Sequence, residues 1–115
     1  MTRTRILGAL AFAAAAAWGV AAFADEPPAH PSALYKEYCA KCHGEDGKAK
    51  TMKGKFLKAR NFTDAEWQAG VSSADLVKTV TDGKDDMPPF GKKLTPEQIE
   101  SLVKNDVRGF APAKP

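Results

Sequence analysis

Cys39-Ala40-Lys41-Cys42-His43 places two thiols and an imidazole within five residues. On a helix, residues three and four apart share a face. Cys39, Cys42 and His43 can therefore all address one flat ligand. The run has the C-x-x-C-H form that attaches c-type haem. The thiols add to the two haem vinyl groups as thioethers, and the His43 imidazole reaches the iron. The sixth iron position then needs a ligand. Met1 lies in the N-terminal apolar segment, and Met52 is nine residues from His43. Met87 is 44 residues from His43, enough chain to wrap to the opposite haem face. It precedes Pro88-Pro89, and prolines hold a ligand loop with little entropy left to lose. Met87 is the expected distal ligand, and Met52 is expected to be packing.

Other uses of the cysteines fit less well. A disulfide across two intervening residues closes a tiny loop and constrains little of the unfolded chain. A redox-thiol C-x-x-C calls for a βαβ context, which the pattern lacks. Zinc needs about four ligands, and the only other histidine is His30, in a proline-rich stretch where it reads as a solvated bystander.

The 115 residues allow one domain. Arg3 and Arg5 precede a charge-free run from Ile6 to Ala24, which ends in Ala22-Phe23-Ala24. This is the form of a signal peptide at residues 1–24, cleaved after Ala24. The run is about long enough for a membrane anchor, but it is mostly alanine and a cleavage pattern closes it. Cleavage removes two arginines and no acid, so the net charge of +3 falls to +1 over 91 residues. No basic stretch is interleaved with aromatics, so nucleic acid is not an expected partner. The expectation is a periplasmic monomer with no stable membrane insertion.

Residues 25–31 form a proline-rich lead-in, 32–111 the domain and 112–115 a tail. Ser32 caps a predicted helix over Ala33 to His43, which Gly44 and Gly47 break. Lys48 to Arg60 reads as a basic loop without pattern. Thr63 and Glu66 have capping-box spacing, with Phe62 and Trp67 as a hydrophobic staple around them. Ser72 and Asp75 repeat the box before Leu76, Val77 and Val80, and Thr81-Asp82-Gly83 ends that helix. Thr95, Pro96 and Gln98 open the last one. Ile99, Leu102, Val103, Val107 and Phe110 then recur at helical spacing. No alternating strand pattern or repeat occurs. The reading is all-α, with loops long for so small a domain and suited to wrapping around a non-protein centre.

Cys39-x-x-Cys42-His43-Gly44, Gly83-Lys84 leading to Met87-Pro88, and a last helix ending Val107-Arg108 together resemble the class I cytochrome c family, over nearly all of residues 32–110. The resemblance implies short helices wrapped around one covalent haem c with one edge exposed. It also implies His/Met low-spin iron and one-electron transfer between redox proteins without substrate turnover. The alternative is a haem enzyme or gas sensor with an open sixth position, which the Met87 loop disfavours. In the family the first and last helices cross through aromatics. Tyr35 and Tyr38 are candidates on the first, but Asp106 stands where the last often carries its aromatic, so Leu102, Val103 and Phe110 are the substitutes. No proline occurs between His43 and Met87, so a carbonyl other than the family's usual one must accept the proximal histidine's proton. Arg60 and Trp67 stand where relatives often meet the haem propionates. Lys48, Lys50, Lys53, Lys55, Lys58 and Arg60 crowd one loop, with Asp75, Asp82, Asp85 and Asp86 elsewhere. This dipole suits redox partners with an acidic docking surface.

Overall fold

The computed structural model describes residues 28–112. The expected signal peptide, residues 25–27 of the lead-in and the last three residues lie outside the described residues. Among the described residues six α-helices follow one another: α1 Ala33–Tyr38, α2 Ala40–His43, α3 Met52–Phe56, α4 Ala65–Gly70, α5 Ser73–Asp82 and α6 Pro96–Ser101. A π-wound segment, Leu102–Val107, and a 3-10 turn, Arg108–Phe110, continue α6. Among the described residues there is no strand, only a single bridge between Lys84 and Met87.

The helix starts show which local signals held. Ser32, Ser72 and Thr95 each accept a hydrogen bond from the backbone N–H three residues on, and Thr95 completes its box with Gln98. Thr63 does not cap α4. Its N–H and hydroxyl both donate to Asn61 Oδ1, at 2.8 and 2.7 Å. Asp64 caps instead, accepting from Glu66 N and Trp67 N. The helix expected over Ala33–His43 is two short helices meeting at Cys39, whose φ of −116° lies off the helical value.

The loop expected over Lys48 to Arg60 holds α3, capped by Thr51, whose side chain accepts from Gly54 N. Gly54 is an unfavourable helix residue, yet here it allows close approach. Thr51 Oγ1 donates to the Cys42 carbonyl at 2.9 Å, and a Cβ at Gly54 would overlap that same oxygen. α3 therefore lies with its backbone directly on α2. Met52, expected to be packing, is on the opposite side and 90% exposed.

The first and last helices cross as the substitutes required. Tyr35 is fully buried, its ring 5.2 Å from that of Phe110, with Leu102 and Val103 buried beside it. The last helix is tied to the middle of the chain by Arg108. Its Nη1 donates to Gln68 O and Gln68 Oε1, at 2.7 and 2.9 Å, while Gln68 Nε2 donates to the carbonyls of Phe62 and Val107.

Asp106 is 1% exposed. Its carboxylate accepts from Ser32 N at 2.7 Å and Ser32 Oγ at 2.8 Å. Its backbone carbonyl accepts from His30 Nε2 at 3.1 Å. His30, read as a solvated bystander, keeps its exposure but packs edge-on against Phe110 at 4.3 Å. A polar clasp thus joins the start of the domain to its last helix, where the resemblance led to an aromatic contact. Asp106→Ala strands the Ser32 N–H and hydroxyl and is expected to cost about 2–3 kcal/mol. That is a fall in Tm of about 10–20 °C for a domain this small, read by thermal unfolding of the haem-loaded protein. Asp106→Asn keeps one acceptor and is expected to lose about half as much. An alanine variant melting with the parent refutes the clasp.

Candidate haem site

α2 presents Cys42 and His43 in consecutive positions, and Thr51 holds the Cys42 carbonyl in place. His43 is buried at the end of α2. Its Nδ1 lies 2.9 Å from the Arg60 carbonyl oxygen. A carbonyl can only accept, so Nδ1 carries the proton and the lone pair is left on Nε2. Arg60 O is thus the carbonyl that sequence could not name. The Phe62 ring stacks on the imidazole at 4.2 Å and 16°, fixing its plane. Burial pushes the His43 pKa below its ordinary value, against the opposing Arg60 bond, which keeps the ring neutral and able to ligate.

Met87 is held from both sides. Gly83 ends α5 at φ 77°, with the Met87 carbonyl and the Pro89 nitrogen too near to admit a Cβ. Lys84 and Met87 exchange two backbone hydrogen bonds, 2.9 and 3.1 Å, across a tight turn through Asp85 and Asp86. After Pro88-Pro89, Phe90 N donates to Val80 O and Gly91 N to Thr81 O. The loop is therefore laced back onto the C-terminal turn of α5.

Cys42, His43 and Met87 line one cavity of about 430 Å³. Leu57, Trp67, Val71 and Leu76 give it apolar walls, and Lys58, Arg60 and Lys84 add cationic side chains. The Arg60 guanidinium stacks over Trp67 at 5.7 Å. Cys39 does not line the cavity; it sits at the α1–α2 junction, partly buried against the core. A neutral imidazole with its lone pair free, a thioether and a cysteine on apolar walls fit an iron porphyrin. Among the described residues no group of three or more His, Cys, Asp or Glu side chains could hold a metal ion. Burial first, and the Asp106 and Cys42 charges next, push the Cys39 thiol up to about 12. A redox thiol is activated by the opposite shift.

Phe62 and the Arg60 carbonyl are the site groups that sequence reading missed. Phe62 was legible only as half of a staple. It does stack on Trp67, at 5.6 Å, but it also carries the imidazole.

The model of the family described as cytochrome c oxidase, cbb3-type, subunit III matches residues 26–104. The chain is 38% identical over 85 residues to the cbb3-type cytochrome c oxidase subunit FixP of Azorhizobium caulinodans, which is 72% of this chain and 28% of that protein. It spans about a quarter of the length of the oxidase subunits it matches. It is 36% identical over 86 residues to cytochrome c6 of Gloeothece citriformis, covering 75% of this chain and 74% of that one. Among solved structures, the KustC0563 c-type cytochrome is 45% identical with a TM-score of 0.64, over 69% of this chain and 94% of that one. With an attachment helix and a methionine loop facing one cavity, these matches show that the chain belongs to the cbb3-type subunit III family and is a small class I c-type cytochrome with covalent haem c.

Proposed function

We propose that the protein is a one-electron carrier with His43 and Met87 as axial ligands, working between redox proteins outside the cytoplasm. One observation carries this: His43, with its proton on Nδ1, and Met87 line the same cavity, each on an anchored loop or helix end. Haem c, held by thioethers at Cys39 and Cys42, supplies the single electron. The chain's own residues set how readily it is given up. The Arg60 carbonyl fixes the donor tautomer of His43. The Met87 thioether favours ferrous iron, and the apolar walls disfavour the added charge of the ferric form. Arg60 and Trp67 are the proposed propionate partners, since both line the cavity. If His43 and Met87 both hold the iron there would be no place for a substrate, so the reading is a carrier and not an enzyme or gas sensor.

Export and cleavage after Ala24 belong to the same proposal, as do the monomeric state and the division into leader 1–24, lead-in 25–31, domain 32–111 and tail 112–115. Among the described residues no helix is long and apolar enough to cross a membrane. The proposed partners are redox donors and acceptors with acidic docking surfaces. Voltammetry of the mature protein should show one reversible one-electron wave, and the reduced protein should not take up carbon monoxide. Ready uptake by the parent protein would favour the open-position alternative.

A further inference from the structure

α3 turns its backbone inward at Gly54, onto the Cys42 carbonyl. Residues two positions to either side then face away from α2. These are Met52 and Phe56, one helical turn apart. They are 90% and 84% exposed, the large apolar side chains the described fold leaves uncovered. Neither supports the core, and large exposed apolar groups commonly mark an interaction surface. Exposed Lys53 and Lys55 lie between them on α3, and exposed Lys48, Lys50 and Lys58 flank the helix. The chain leaving α3 at Leu57, Lys58 and Ala59 forms a wall of the haem cavity.

We infer that Met52 and Phe56 are the apolar anchor of the docking face for a redox partner, which offers a shallow apolar depression ringed by carboxylates. This rests on the carrier reading and names the contact through which it works. The lysine ring selects the acidic rim, steers encounter and loses force with salt. The apolar pair holds the complex once formed and is not screened, in the way a few central side chains dominate interfaces within a polar rim. Placement suits the task. A partner seated on the outer side of α3 is separated from the cavity by one helix, about 10 Å across. The hydrogen bond from Thr51 to the Cys42 carbonyl links that helix to a haem-bearing cysteine. An anionic membrane would also attract lysines beside apolar groups. A five-residue helix with two apolar side chains buries far less than the long amphipathic helices that lie in membrane interfaces.

The test uses the mature haem-loaded protein, reduced and then mixed in stopped flow with membranes of the source cells, from about 0.01 M to about 1 M salt. Met52→Gln/Phe56→Gln should slow the second-order oxidation about tenfold at every salt concentration. Met52→Leu/Phe56→Leu should keep the parent rate within about twofold. Reversing charge at Lys50, Lys53 and Lys55, none of which lines the cavity, should slow the reaction at low salt only. Melting temperature and potential should not move in any of the three. Glutamine variants that react as fast as the parent overturn the inference, as does a parent that these membranes do not oxidise. Loss of binding to phosphatidylglycerol vesicles in step with the rate would reassign the face to lipid. A parent dimer that the glutamines dissociate would reassign it to a second copy. Failure of the carrier reading is separate, because it would abolish the parent's own voltammetric wave.

Discussion

Replacing Cys39 and Cys42 together with alanine is expected to abolish covalent haem attachment and to remove the folded state. The described helices surround a cavity of about 430 Å³ lined partly by Leu57, Trp67, Val71 and Leu76. If such a void stayed closed and dry it would cost about 10 kcal/mol, at roughly 24 cal/mol per Å³. That equals the whole stability of a typical domain. The variant chain would admit water to those apolar walls or collapse. Acid-acetone extraction reads the first effect: haem should leave the double variant and stay with the parent. Far-ultraviolet circular dichroism reads the second, as loss of most helical signal. Each single alanine variant retains one thioether and should show weaker attachment. Haem that survives extraction from the double variant would remove the two thioethers from the assignment.

The legible parts of this molecule are those written locally. Ser32, Ser72 and Thr95 cap their helices because the hydroxyl and the N–H it accepts from lie three residues apart, in one chain segment. The C-x-x-C-H run is legible for the same reason. What sequence missed is decided across space. α3 has five residues with a glycine at its centre, and its stability comes from lying on the Cys42 carbonyl rather than from propensity. Arg60 O serves His43 through a backbone atom, and every residue has one, so no side-chain pattern announces it. The Thr63 capping box was a real spacing that lost to Asn61, whose side chain captured both Thr63 donors. Asp106 falls on the buried stripe by helical spacing, seven residues after Ile99, and was noticed as a departure. That its partner is Ser32, 74 residues earlier, could be seen only in the fold.

Met87→Ala carries the second large effect. The loop that bears Met87 is fixed by the paired backbone bonds with Lys84, by those from Phe90 and Gly91 back to α5, and by the Phe90 side chain in the core. Truncating the side chain disturbs none of them, so the variant should fold and keep its haem. What changes is the iron. The ferric parent should show the weak far-red band of sulfur-to-iron coordination, and the variant should lack it. With no thioether to favour the ferrous form, the potential should fall by on the order of 100 mV, a modest part of the range of about 0.8 V that axial ligands span. The opened position should then bind carbon monoxide when ferrous and cyanide when ferric. Met52→Ala is the control. Met52 stands outside the cavity and almost fully exposed, so its removal should leave band, potential and ligand binding at parent values. If Met52→Ala removes the band and Met87→Ala does not, the chain must rearrange to use the other methionine and the assignment fails. If Met87→Ala keeps both band and potential, neither methionine is the ligand and the open-position alternative gains its first support.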